Sequence, residues 1–347
     1  MEQSEFAFSK VAVVILNWNG KKYLEQFLPK LIEYSTEDDV KIYIADNGSK
    51  DDSIDFLKIN YPAIDLILFS ENHGFTGGYN KALNLIPAQY FVILNSDIEV
   101  TENWIQPVIN YMDSHPDVAA CQPKIRSFIN KGYFEYAGAA GGYLDKYGYP
   151  FCRGRILKEH EKDNGQYNDL REVFWATGAC MFIKADLFRK AGCLDEDFFA
   201  HMEEIDLCWR LKNAGYRIVY NPDSTVYHVG GGTLPNNSPR KLYLNYRNNL
   251  FLLYKNLASS ELFLTIFRRM ILDGISAFVY FFSGKFVLSW MVFKAHLSFY
   301  SSIRTMHRKR NKNQIKLKQI KEIYPDSIVF SYFIKKRHYF SDLKFRQ

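Results

Sequence analysis

The stretch that most constrains this chain is Tyr90 to Val100, YFVILNSDIEV. Its apolar run, Tyr90 to Leu94, has the length of a strand and no polar alternation, which predicts a strand buried on both faces in a parallel sheet. The run stops abruptly at Asn95, Ser96 and Asp97. Ligands of open α/β sheets gather at the carboxyl ends of the strands, so an amide, a hydroxyl and a carboxylate are delivered where chemistry is done. A carboxylate so placed suits a hard divalent cation bridging protein and diphosphate. Asp is equally at home in a turn or as a helix N-cap, and this stretch alone does not choose.

The text on either side repeats a strand and helix alternation. Strands are predicted at Val11 to Trp18, Val40 to Ala45, Asp65 to Phe69 and Val118 to Cys121. Between them, helical spacing covers Lys21 to Tyr34, Asp52 to Asn60, Gly78 to Ile86 and Trp104 to Ser114. Alternation of this kind predicts an α/β fold whose mainly parallel sheet is flanked by helices. From Ser127 to Arg171 the chain turns rich in Gly and Tyr, then polar, which reads as a hairpin or long loop lying over the active edge as a lid. A strand-like VFWATGACMFI, a short helix from Ala185, a helix near Glu203 to Asn213, and strands at Tyr216 to Tyr220 and Thr225 to Val229 follow.

The 347 residues suffice for one large core plus an appendage. Five cysteines without a C-x-x-C pair indicate neither a disulfide framework nor a structural zinc site, and a reducing cytoplasm is the simplest compartment. The first ten residues, MEQSEFAFSK, are not a signal peptide. Net charge is +6, but it is uneven: Arg304 to Arg337 holds eleven Lys or Arg against Glu322 and Asp326, which points to an anionic surface. Just before it, Leu262 to Ile303 is rich in Phe, Leu and Ile, yet its longest uncharged run, Gly274 to Gly284, falls short of the ~20 residues that span a bilayer. Amphipathic helices lying in the membrane interface are expected, with a helical subdomain packed on the core as the alternative.

Several motifs sit at strand ends. The first strand runs into Asn17, Trp18, Asn19 and Gly20, which is neither a dinucleotide fingerprint nor a P-loop. The second ends in Asp46, Asn47 and Gly48, where an acid can accept hydrogen bonds from a ribose or base, or merely form a turn. After the third comes NHGFTGGYNKA, Asn72 to Ala82, whose glycines let backbone amides approach a ligand at a helix start.

Together VVILNWNG, ADNGS, NHGFTGGYNKAL, ILNSDIEV, WATGACMFIKADLFRKAGCLDEDFF, EEIDLCWRLKNAG and YHVGGGT resemble the family 2 glycosyltransferases, in particular the rhamnosyltransferase-like branch of bacterial cell-surface polysaccharide synthesis. The resemblance covers about two thirds of the chain. It implies a GT-A fold, a nucleoside diphosphate sugar donor, Mn²⁺ or Mg²⁺, and inversion at the anomeric carbon. It places Asn17 and Asp46 at the nucleotide, Asp97 on the metal as the end of a D-x-D-like element, and His228 as a further metal or diphosphate ligand. Gly74, Gly77, Asn80, Asn95 and Ser96 join the expected donor site. This chain departs from the pattern in two places: Asn95-Ser96-Asp97 lacks one carboxylate, and Glu203-Glu204 stands where Glu-Asp is common.

Inverting transfer needs a base for the acceptor hydroxyl, which is the role the resemblance gives Glu204, with Glu203 beside it. Acids also favour the first turn of any helix, and Asp206 is the strongest candidate for that structural role. Trp175, Gly178, Ala179 and Asp206 are expected on the acceptor side. The expected organisation is a catalytic domain over residues 1–255 and a helical, basic region over 256–347 that associates with membrane. The expected function is transfer of one sugar to a growing, lipid-linked cell-surface glycan by a cytoplasmic enzyme peripheral on the inner face of the membrane, with no nucleic-acid partner. A sugar-phosphate nucleotidyltransferase and a non-catalytic nucleotide-binding scaffold are the alternatives.

Overall fold

A computed structural model of the chain describes residues 6–230, 238–310 and 313–346. The alternation in the first half forms as expected: β1 (Ser9–Asn17), α1 (Lys21–Glu33), β2 (Val40–Asn47), α2 (Ser53–Asn60), β3 (Asp65–Phe69), α3 (Gly74–Leu85), β4 (Ala88–Leu94), β5 (Ile98–Val100), α4 (Gln106–Ser114) and β6 (Val118–Ser127). Then come four short strands, β7 (Gly142–Asp145), β8 (Pro150–Cys152), β9 (Arg155–Ile156) and β10 (Glu159–His160). The remainder of the core is β11 (Arg171–Val173), β12 (Cys180–Lys184), α5 (Ala185–Lys190), α6 (Glu203–Asn213) and β13 (Arg217–His228). The C-terminal part is α7 (Pro239–Asn256), α8 (Ser259–Phe282), α9 (Phe286–Arg308), β14 (Ile323–Tyr324) and α10 (Ile328–Phe333).

The main sheet runs β11-β13-β6-β12-β4-β1-β2-β3, with β5 added on β13. β1 is parallel to both β2 and β4, and its side chains divide by parity as a two-sided strand requires. Ala12 and Val14 enter one buried cluster, Val11, Val13 and Ile15 the other. β4 divides likewise, Phe91 and Ile93 against Tyr90, Val92 and Leu94. The sheet is mixed, because β12 is antiparallel to both β4 and β6. This reversal carries the 174–179 segment back across the strand ends, so the expected VFWATGACMFI strand is interrupted at the point where it becomes useful.

Three local expectations need correction. α3 begins at Gly74, four residues before the expected Gly78. The two strands expected between Tyr216 and Val229 are one, β13, with a register shift between Asn221 and Thr225. The 127–171 stretch, expected as a hairpin or long loop, does contain a hairpin, β7–β8, but extends it: β7 to β10 form an antiparallel sheet, which β14 completes by pairing with β7. Several of its aromatic residues are core, with Phe134 and Phe151 fully buried, while Tyr133 and Tyr136 stay exposed.

The line drawn at residue 255 falls inside α7. Beyond it, Leu317, Ile320, Ile323, Tyr324, Ile328, Phe340 and Leu343 join the same buried cluster as α6 and the sheet. Part of the basic run is used internally. Lys309 pairs with Asp195 at 2.6 Å and Asp197 at 2.7 Å, and Arg310 donates to the carbonyls of Tyr254 and Leu257. No helix among the described residues is long and apolar enough to cross a membrane.

Candidate active site

Short β5 is the device that assembles the first cluster. It pairs antiparallel with the end of β13, His228 opposite Ile98, and Val229 N–H donates to the Asp97 carbonyl at 3.1 Å. That pairing brings His228 Nε2 to 3.1 Å from Asp97 Oδ1. Nδ1 of the same ring lies 3.2 Å from Glu135 Oε2. Burial alone would lower the imidazole's pKa, but the Glu135 and Asp97 carboxylates outweigh it and push it up to about 10. Burial would likewise raise both carboxyls, and His228 holds them below their usual range. Glu135 carries no sequence motif. It comes from the 127–171 segment, and the pairing of Arg126 with Phe134, with Glu135 N–H donating to Ile125 O, sets it beside the end of β6.

The donor-side residues fall into two groups. A methyl placed on Gly20 would stand 2.3 Å from Asn17 Oδ1 and 3.6 Å from Ser96 Oγ, so the ends of β1 and β4 meet over this glycine. Asn17 donates to Asp46 at 2.9 Å, and Asp46 also accepts from Ser49 N–H at 2.8 Å. Both are sealed from solvent, but Asn17 Oδ1 is left without a donor. Gly74 opens α3 at a positive φ of 73°, a geometry that excludes most side chains, and a Cβ there would also meet the Phe199 ring at 3.0 Å. The α3 N-terminus thus faces the loop before α6; the His73 and Gly74 N–H groups there are already taken by the Asn47 and Asn72 side chains. Asn80 does not face a ligand. It donates to Leu194 O at 2.8 Å and accepts from Leu194 N–H at 3.0 Å, which staples α3 to that loop. Gly77 packs beside His73 and Glu196 and serves the same contact.

The second cluster stands at the start of α6. Gly178 is flanked by the Phe75 ring and by Cβ of Glu204, while Ala179 accepts from Asn95 N–H at 2.9 Å. The 174–179 segment therefore connects the β4 end to Glu204. Burial pushes Glu204 up to about 7, and burial with the Glu204 charge pushes Glu203 well above its ordinary value. One oxygen on each carboxylate, Oε2, has no hydrogen-bond partner. Asp206 is the contrast. It is fully buried, paired with Lys255 at 2.9 Å and Arg210 at 2.8 Å, accepts from Asn256, and is held down to about 2 against the effect of burial. It is a structural anchor rather than an acceptor residue. Trp175 is likewise core: it packs against Gly142 and donates to Tyr143 O at 3.1 Å.

The loop before α6 is strained, with positive φ at Phe199, His201 and Met202. Asn248 of α7, itself fully buried, donates to the carbonyls of Phe198, Ala200 and His201 at 2.8 to 2.9 Å. Arg247 adds bonds to Asp197 O and Phe198 O. Sequence reading missed this clamp, since asparagines inside a helix carry no signal. Burial, then Lys241, hold the His201 imidazole down to about 4, so it is neutral.

Asp97 and His228 fit a divalent cation that arrives with its ligand. Oxygen and imidazole donors already face one point, and a cation there would replace the shared proton. Among the described residues no group of three or more His, Cys, Asp or Glu is arranged to hold a metal ion. Gly231 and Gly232, which follow His228, lie outside the described residues.

The family model "Glycosyl transferase family 2" matches residues 12–192. N-acetylglucosaminyl-diphospho-decaprenol L-rhamnosyltransferase of Mycobacterium tuberculosis is 25% identical over 231 residues, 62% of this chain and 75% of that protein. Rhamnosyltransferase WbbL of Escherichia coli K12 is 28% identical over 215 residues, 59% of this chain and 79% of that protein. Among solved structures, the mannosyltransferase PcManGT of Pyrobaculum calidifontis in complex with GDP-Man and Mn²⁺ aligns with a TM-score of 0.52 at 13% identity, over 85% of this chain and 88% of that one. GalNAc-T7 with UDP, GalNAc and Mn²⁺ aligns with a TM-score of 0.56 at 15% identity, over 72% of this chain but only 48% of that one. At these identities the structural likeness establishes the fold.

Proposed function

The chain belongs to glycosyl transferase family 2, with a GT-A fold and rhamnosyltransferase-like relatives, and we propose that it transfers one sugar, with inversion, from a nucleoside diphosphate donor to a growing, lipid-linked cell-surface glycan. One observation carries the chemical part of this reading. Among the described residues Glu204 is a carboxylate without a cationic partner, raised to about 7 and beside Gly178, whereas Asp206 two residues on is neutralised twice. A base must be basic near the working pH, and only an uncompensated carboxylate meets that need.

In this reading the acceptor hydroxyl attacks the anomeric carbon as Glu204 takes its proton. The bond from that carbon to the diphosphate oxygen breaks on the opposite face, and the nucleoside diphosphate leaves. Asp97 and His228 would hold Mn²⁺ or Mg²⁺, which when bound supplies positive charge to the departing diphosphate. Glu135 orients the imidazole from its other nitrogen, as partners of metal-bound histidines do. Asn17 and Asp46, buried at the ends of β1 and β2, would form the floor beneath the nucleotide site. The α3 N-terminus and Ser96 receive the diphosphate.

The lipid-linked acceptor and a place at the inner membrane face are supported by the decaprenol-linked relative's name and by the exposed apolar faces of α8 and α9. The nucleotidyltransferase alternative lacks support, since β1 ends without a phosphate-binding loop. Thermal stabilisation by a panel of nucleotide sugars, with and without Mn²⁺, tests the reading because a ligand bound to the native state raises apparent stability. Stabilisation by one donor that vanishes on chelation is expected; no response from any donor would count against it.

A further inference from the structure

Helix α8 is built inside out. Its only buried residues are Arg269 and Asp273, which pair with each other at 2.8 Å, while Phe263, Phe267, Ile271, Ile275, Phe278 and Phe282 face outward and are exposed. Arg269 also donates to Asn249 of α7, and His296 of α9 meets the second Asp273 oxygen at 3.2 Å. A helix at a water surface has the opposite arrangement, with charge outside and Phe within. Charges turned inward and apolar side chains turned outward are what a helix in contact with lipid shows.

The turn joining α8 to α9 carries the pattern to its extreme. Turns in water are polar, yet here Phe281, Phe282, Phe286 and Val287 surround Ser283, Gly284 and Lys285, and all seven are exposed. The tip is nonetheless fixed. Gly284 N–H donates to Phe281 O and Lys285 N–H to Tyr280 O, with Gly284 at a φ of 72°, the Schellman arrangement. A Cβ on Gly284 would meet nothing within 4 Å, so the tip projects free of the body.

Charge selects the occupant. From Leu262 to Lys321 the only acidic residue is Asp273, and it is buried. Arg268, Lys285, Lys294, Arg304 and Arg308 are exposed along the hairpin and form no ion pair among the described residues. Apolar insertion flanked by unpaired cations fits an anionic lipid surface better than another copy of this cationic hairpin. Trp290 and Tyr300, each about half exposed, stand where aromatic residues anchor at a headgroup layer.

We propose that the α8–α9 hairpin is a monotopic membrane wedge: its tip from Phe278 to Val287 inserts among the acyl chains of an anionic leaflet, and its lysines and arginines reach the headgroups. The wedge rests on the membrane-side reading of the acceptor but not on the chemistry of transfer. Because α7 both packs on α9 and clamps the loop before α6, insertion would hold the cleft at a fixed height above the leaflet.

The test uses the full chain and vesicles of phosphatidylcholine with or without phosphatidylglycerol. Wild type is expected to co-sediment with the anionic vesicles, less so as salt rises, and brominated acyl chains are expected to quench tryptophan emission. F282D/F286D should lower partitioning at least ~10-fold, and K285Q/K294Q several-fold on anionic vesicles only. Retained donor-induced thermal stabilisation in both variants shows that they fold, and separates failure of the wedge from failure of the enzymatic reading. Equal vesicle binding by wild type and F282D/F286D would overturn the proposal. So would a wild type that ignores vesicles but forms a dimer dissolved by the same substitution, since the face would then belong to a second copy.

Discussion

His228 Nε2 stands 3.1 Å from Asp97 Oδ1 across 131 residues of sequence, and β5 is what closes the distance. If these atoms take the cation, Asp97→Asn keeps the size of the side chain but removes the anionic ligand. Turnover is expected to disappear, and nucleoside diphosphate binding measured by calorimetry should lose its dependence on Mn²⁺. His228→Ala should be milder, because water can replace one neutral ligand. Full activity of Asp97→Asn in excess chelator would remove the carboxylate from the metal site.

Asp206 gives a prediction about stability alone. Replacing it by Ala removes one of the two carboxylates on Lys255, which keeps Asp195, and the ion pair of Arg210, which keeps the Ala191 and Cys193 carbonyls, so the loss should fall below the ~3–5 kcal/mol of a buried pair broken from one side. Urea denaturation should show this loss. The pH dependence follows from a carboxyl held at about 2 in the fold against 3.8 otherwise. A depressed pKa stabilises above the unfolded value, so the contribution is complete above about pH 4 and is lost as pH falls toward about 2. An Asp206→Ala variant as stable as wild type would contradict the anchoring role.

How much of this was legible follows from where the signals lie. The parallel core could be read because β1 and β4 are continuous apolar runs that end in polar residues, and Asp97 was found by its place at such an end. Glu135 could not, because its segment is dominated by Gly and Tyr and it meets His228 only through the pairing of β6 with β13, remote in sequence. The small sheet β7 to β10 looked like a hairpin or long loop since strands of two to four residues hold too little periodicity to detect, and the strand that completes it arrives from residue 323. Asn80 and Trp175 were drawn into the site by their neighbours in the motif. Their side chains turn instead to Leu194 and Tyr143, which no spacing rule reveals.

Asn248 tests whether α7 serves the chemistry. It donates to three carbonyls of a loop with positive φ at Phe199 and His201, directly before Glu203 and Glu204. Asn248→Ala would leave the Ala200 and His201 carbonyls without this donor, at about 1 kcal/mol each, while Phe198 O keeps Arg247. It should also let the loop relax, and misplacement by ~1 Å can cost up to ~10² in rate. The expected signature is a fall in kcat with little change in donor affinity. A purely structural role would lower the melting temperature and leave kcat of the folded fraction intact.

Glu204 carries the heaviest prediction. A positioned base contributes ~10²–10⁴ to rate, so Glu204→Gln, which keeps shape and removes basicity, should lose that much in kcat while donor binding holds. The pKa of about 7 sets the profile: the base works only when deprotonated, so wild-type kcat should rise with pH to about 7 and then level off. Glu204→Gln should flatten that limb. Glu203→Gln should be the weaker variant, and removing its neighbouring carboxyl should change the apparent pKa more than the plateau, because the two acids are adjacent and both uncompensated. Glu204→Asp restores the residue common in the family but draws the carboxylate back by one methylene, so impairment is expected rather than gain. Wild-type turnover by Glu204→Gln together with a dead Glu203→Gln would move the base to the other carboxylate.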